Sequence, residues 1–80
     1  MIYTPSGVCA KEIHFELDAN GKIHDAYFIG GCNGNLKGIC ALIEGMDAKE
    51  AISRLEGIRC GVKPTSCPDQ LARALKECVK

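Results

Sequence analysis

The sequence predicts an α+β fold in one 80-residue domain, an antiparallel β-hairpin or small meander followed by three helices. Three observations carry this. A period-two apolar pattern surrounds an Asn20-Gly21 turn, helical apolar spacings follow it, and all the strand signals precede all the helix signals.

The hairpin opens at Lys11-Glu12-Ile13-His14-Phe15-Glu16-Leu17, where alternation puts Ile13, Phe15 and Leu17 on one face. Asp18-Ala19-Asn20-Gly21 is the turn, because Asn-Gly is a strong short hairpin signal. The return strand, Ile23 to Ile29, alternates less cleanly, and a third short strand is expected near Ile2 and Tyr3. Gly30-Gly31-Cys32-Asn33-Gly34-Asn35 breaks the pattern, with Asn35 as a helix cap. Leu36, Ile39, Cys40 and Ile43 form the stripe of the first helix, which stops at Gly45. Asp47 and Glu50 suggest a capping box for a short second helix carrying Ala51, Ile52 and Leu55 and ending at Gly57. The last helix begins at Ser66-Cys67-Pro68-Asp69 and carries Leu71, Ala74, Leu75, Cys78 and Val79.

A chain of this length buries only roughly 60–65% of the surface it exposes when unfolded, so its core is thin and a metal, disulfides or a partner would help it. Ten basic and ten acidic residues cancel, and no basic stripe supports nucleic-acid binding. No apolar run is long enough to span a membrane. The first residues lack the basic start and apolar stretch of a signal peptide, which makes the cytoplasm the expected location.

Six cysteines are the outstanding feature. A reducing compartment favours metal ligation or thiol chemistry over a disulfide scaffold. Cys40 and Cys78 fall on apolar helical stripes and read as core residues. Cys9, Cys32, Cys60 and Cys67 lie in loops or at element ends, and four thiolates are what a closed tetrahedral zinc site requires. A hairpin returns its chain to its start, so Cys9 and Cys32 flank the same end. Cys60 and Cys67 are separated by only six residues, and Cys67 opens a helix whose free N–H groups favour an anionic sulfur. No C-x-x-C pair reinforces the pattern. His14 and His24 read as solvated, and Asp69 and Glu50 as helix-capping acids. The Gly30–Gly34 stretch lacks the Lys-Ser/Thr ending of a phosphate-binding loop.

Thr65-Ser66-Cys67-Pro68-Asp69 is the signature of the TSCPD domain. Gly7-Val8-Cys9, Gly30-Gly31-Cys32-Asn33-Gly34-Asn35-Leu36, Gly57-Ile58-Arg59-Cys60-Gly61 and Gln70-Leu71-Ala72 also resemble that family's pattern. The resemblance covers essentially the whole chain. It implies kinship with the C-terminal module of adenosylcobalamin-dependent ribonucleotide reductases, hence a part in deoxyribonucleotide synthesis with a reductase as partner. A complete reductase needs a large barrel, a radical cysteine and a substrate pocket, which 80 residues cannot supply.

More distantly, the layout is similar to IscU/NifU-type iron–sulfur scaffold proteins, on whose pattern Cys9, Cys32 and Cys67 would take the cluster-ligand positions. The scaffold's aspartate two residues after the first cysteine is Lys11 here, its histidine before the last cysteine is Ser66, and Cys60 has no counterpart. The resulting expectation is a domain of IscU-like topology whose Cys9, Cys32, Cys60 and Cys67 bind Zn²⁺ or, alternatively, an iron–sulfur cluster. Two other expectations stand beside it: a dithiol/disulfide module using Cys60 and Cys67 to pass electrons to a reductase, and an iron–sulfur carrier.

Overall fold

The computed structural model describes residues 1–31 and 33–79. Three antiparallel strands, β1 (Ile2–Tyr3), β2 (Ala10–Leu17) and β3 (Ile23–Gly30), lie in the order β1-β2-β3. Three helices follow, α1 (Asn33–Ile43), α2 (Ala48–Leu55) and α3 (Cys67–Cys78). This is the α+β arrangement the sequence predicts, and the short first strand pairs as expected, Ile2 with His14 and Tyr3 with Ile13.

The uneven alternation of β3 has a physical cause. His14 pairs with Tyr27 but Glu16 pairs with His24, so β3 carries one residue more than β2 across this step. Asp25 takes a positive φ of 55° there and forms a bulge. The bulge reverses the pleat, so Ile23, Ala26 and Phe28 all meet the core while Tyr27 and Ile29 face outward. The hairpin turn also differs from a two-residue Asn-Gly turn. Asp18 Oδ1 accepts the N–H groups of both Asn20 and Lys22 at 2.9 Å, and only Gly21 enters the left-handed region, at φ 76°.

Beyond that turn the linker between α1 and α2 pairs with the start of β3. Ile23 N–H donates to Met46 O at 2.9 Å, Gly45 N–H to Ile23 O at 2.7 Å, and Ala48 N–H to Gly21 O at 2.9 Å. The helices thereby cover one face of the sheet. Ile13, Phe15 and Ile23 meet Ile43, Ala51, Ile52, Leu71, Ala74 and Leu75 in a single apolar core. Among the described residues, no helix is long and apolar enough to cross a membrane.

Three details of the helices depart from expectation. α1 starts at Asn33, so Asn35 lies inside its first turn and is not its cap. Asp47 does cap α2, accepting from Lys49 N–H at 3.0 Å, but Glu50 turns away from the capping box and pairs with Arg54 at 2.6 Å. Leu36 and Ile43 are buried in the α1 stripe, whereas Ile39 and Cys40 are only half-buried because they sit at the margin of the sheet rather than over it.

The histidines are partnered rather than merely solvated. His14 Nε2 lies 2.8 Å from Glu12 Oε1, and its ring stacks on Tyr27 at a centroid distance of 4.4 Å. His24 bridges two acids, with Nε2 2.8 Å from Asp18 Oδ2 and Nδ1 2.7 Å from Glu44 Oε2. Glu44 also accepts the N–H of the bulge residue Asp25 at 2.9 Å. One imidazole thus ties the turn, the bulge and the end of α1 together.

Two predictions follow from this geometry. Gly31 has φ 85°, and a Cβ there would come within 2.9 Å of Leu36 Cδ1. Gly31→Ala is expected to cost about 1–2 kcal/mol for the backbone conformation alone, read as a lower urea midpoint at unchanged slope. The His24 pKa lies above its ordinary value because Asp18, and then Glu44, accept from its ring. The stabilisation it contributes is therefore complete below the unfolded value of about 6.5 and disappears as pH rises through the higher folded value. Melting temperatures of the wild type and His24→Gln, measured from about pH 5 to 9, should differ at the acid end and converge at the alkaline end. A gap independent of pH would rule out the charged bridge.

Candidate functional site

α3 has a stripe of buried positions at Gln70, Leu71, Ala74 and Leu75, and its most informative member is the polar one. Gln70 is 1% exposed. Its amide Nε2 donates to Thr65 Oγ1 at 3.0 Å, and its Oε1 accepts the N–H of Ser6 at 3.3 Å. Thr65 in turn donates its hydroxyl to Asp69, whose other oxygen accepts the Gly57 N–H at 2.7 Å. Arg73 approaches the Asp69 carboxylate at 3.2 Å. Ser66 caps α3 by accepting from Asp69 N–H at 3.2 Å and donates its own hydroxyl to Ile58 O at 2.6 Å. Among the described residues, no buried side-chain nitrogen or oxygen lacks a partner.

This network joins the stretch before β2, remote in sequence, to the loop between α2 and α3 and the start of α3 that directly follows it. Each brings a cysteine. Cys9 is exposed just before β2, Cys60 is exposed in the loop, and Cys67 is half-buried as the first residue of α3. The loop closes on itself through Cys60 N–H to Thr65 O at 3.2 Å and Lys63 N–H to Cys60 O at 3.0 Å. All three cysteines line one cleft of about 480 Å³, whose floor is the apolar surface of Val8, Leu36, Ile39 and Ile58. Cys32, the fourth candidate ligand, lies outside the described residues.

The whole-chain pattern around these residues is matched by the family model described as the TSCPD domain, over residues 1–79. The chain belongs to the TSCPD domain family. No curated protein and no solved structure matches it. The likeness to iron–sulfur scaffolds therefore rests on element order and cysteine placement in the sequence.

The TSCPD signature has a direct structural meaning in this chain. Thr65, Ser66 and Asp69 build the hub, Pro68 occupies the first turn where a missing N–H costs nothing, and Cys67 is the residue they display. Asp69 is more than the capping acid its position suggested. Donation from Thr65 and from the Gly57 N–H, with Arg73 nearby, holds its carboxyl below the usual aspartate range.

Gln70 and Thr65 escaped attention as organising residues. The available signal was a glutamine on the α3 stripe, three residues after Cys67 and four before Ala74. The expected core cysteines are core only in part. Cys78 is half-buried against the core, and Cys40 is half-buried beside a separate groove between β3 and α1. Burial pushes both thiols above their ordinary pKa.

Among the described residues, no three His, Cys, Asp or Glu side chains stand close enough together to hold a metal ion. Thiols are the soft donors of the cleft. Among the described residues no carboxylate or imidazole lines it, the Ser66 hydroxyl is engaged with Ile58, and Asn35 adds a neutral amide. The loop that carries Cys60 is exposed from Gly57 to Pro64 and packs none of its side chains into the core.

Asp69→Asn removes the charge that Thr65 and Gly57 donate to. It should cost about 2 kcal/mol or more in urea unfolding near neutral pH. Because the folded carboxyl titrates below the unfolded value of about 3.9, the wild type's advantage should be complete above that value and vanish as pH falls through the folded one. Faster labelling of Cys60 and Cys67 in the variant would show that the hub also holds the thiols in place.

Proposed function

We infer that this domain is a cysteine-based metal-binding accessory module for ribonucleotide reduction, with Cys9, Cys32, Cys60 and Cys67 as the ligands of one Zn²⁺. The single observation that supports the reading is that Cys9, from before β2, lines the same cleft as Cys60 and Cys67, from the loop and start of α3 about fifty to sixty residues later. An all-thiol donor set suits Zn²⁺ or an iron–sulfur cluster and disfavours the hard, oxygen-seeking cations. The reductase as partner, and deoxyribonucleotide synthesis as the process served, come from the family resemblance. Zn²⁺ would supply folding free energy to a small core by tying the Cys60 loop and the Cys9 segment to α3. An iron–sulfur cluster is the alternative occupant of the same thiols.

One observation favours a second reading. Cys60 is exposed and shares the cleft with Cys67, at the two ends of a loop closed by the Cys60–Thr65 backbone bond. As a dithiol/disulfide module the pair would form one S–S bond and pass two electrons and two protons to a disulfide of the partner reductase.

Elemental analysis and thiol titration of the same anaerobically purified sample separate these readings. The metal module predicts one equivalent of zinc, with only Cys40 and Cys78 titrating until the site is opened, and at least a tenfold loss of metal affinity in Cys60→Ser or Cys67→Ser. Iron with acid-labile sulfide would assign the thiols to a cluster. Metal-free protein with a Cys60–Cys67 disulfide would overturn the metal module and establish the redox pair.

A further inference from the structure

The cysteine cleft carries an asymmetry of charge that metal ligation does not use. Arg59 and Lys63 both line it, both are exposed, and among the described residues neither makes an ion pair. Among the described residues no Asp or Glu lines the cleft. From Gly57 to Pro68 the chain contains no acid at all, and the next one, Asp69, is buried with its oxygens committed to Thr65, Gly57 and Arg73. Arg54 pairs with Glu50, Arg73 with Asp69 and Lys76 with Glu56, and Lys11, Lys22, Lys37 and Lys49, which like Arg59 and Lys63 make no ion pair among the described residues, do not line this cleft. A chain of zero formal charge has thus left two unmatched cations at one opening.

The same place exposes apolar surface. Ile58 is 42% exposed at the cleft wall, and Val62, between the two cations in sequence, is fully exposed at the loop tip. Val8, Ile39 and Pro68 extend the apolar lining inward. Exposed apolar side chains next to unpaired cations form a surface that loses free energy by staying in water and gains it by meeting a complementary chain.

We propose that this cleft is the docking site for an acidic peptide segment of a partner protein, whose carboxylates pair with Arg59 and Lys63 while its apolar side chains enter between Ile58, Leu36 and Ile39. Arg59 is suited to bidentate carboxylate pairing, and Lys63 supplies a second point charge four residues later in the chain. The peptide would lie across the openings above Cys9 and Cys60, so the segment that docks is also the one whose chemistry meets the thiols. This deepens the reading of the same cleft, naming its partner's chemistry, but the docking requires no metal.

The test is fluorescence anisotropy with a labelled ten-residue peptide containing glutamates and two leucines. Two controls accompany it, one with lysine for each glutamate and one with serine for each leucine. The acidic, leucine-bearing peptide should bind, weaken with added salt, and bind at least tenfold more weakly to the doubly substituted R59E/K63E. Both controls should bind at least tenfold more weakly to the wild type. NMR shift changes should centre on Val8, Ile39 and Ile58, and the spectrum of free R59E/K63E should retain the wild-type dispersion. Absence of binding, equal binding of the lysine peptide, or no loss in a folded R59E/K63E would overturn the proposal. Repeating the titration on chelator-treated protein of measured metal content distinguishes the two readings of the cleft: binding that persists in protein never found to carry metal sinks the metal module alone. Metal-loaded protein that ignores the peptide sinks the docking site alone.

Discussion

The buried hydrogen-bond hub of Thr65, Asp69 and Gln70 is the constraint on which the rest of this domain depends. Its members reach to Ser6 in one direction and to Gly57 in the other, so the N-terminal segment and the α2–α3 loop are held against the first turn of α3. A buried polar network contributes when every member is satisfied and becomes a liability when one partner is lost. Here each member is satisfied, and its bonds hold the segment before β2 and the α2–α3 loop against the start of α3. Cys9, Cys60 and Cys67 share a cleft because those segments carry them.

Core and cleft occupy different parts of the fold. The core lies where Ile13, Phe15 and Ile23 meet α2 and α3, and it accounts for the largest fully buried side chains apart from Gln70. The cleft lies at the open end of the hairpin, beside the start of β2, and its apolar residues other than Leu36 remain partly wet. A domain this small gains little from extending its core toward that end, and the hub replaces apolar packing there with directional bonds. Directional bonds also leave the thiols at the surface, where a metal, a disulfide or a partner can reach them.

Charge is divided along the same axis. At the turn end of the hairpin, His24 bridges Asp18 and Glu44, and hydrogen bonds from backbone N–H groups and the imidazole hold both acids below their ordinary pKa. At the cleft end Asp69 is spent on the hub and Glu56 on Lys76, and Arg59 and Lys63 are exposed without an ion-pair partner among the described residues. Zero net charge conceals this separation, because summed charge carries no information about position. The absence of a basic stripe in the sequence remains true, since the two cations become a feature only beside an apolar opening free of acids.

The sequence by itself determined the element order, the inward face of β2 and the cap of α3, because each of these follows from local periodicity, turn chemistry or capping. Even the unclean alternation of β3 was visible, although its cause, a bulge at Asp25 held by Glu44 just past α1, needed a residue nineteen positions away. Gln70 stood on the α3 stripe as a polar residue without an explanation, since its partners at Ser6 and Thr65 lie on other segments. Only the tertiary structure decided that Cys9, Cys60 and Cys67 share one cleft, that Cys78 sits at the core's margin and Cys40 beside a separate groove, and that Arg59 and Lys63 line the cleft of the thiols. Those facts depend on how segments sixty residues apart are held in register, and long-range register is set by buried partners rather than by any local pattern.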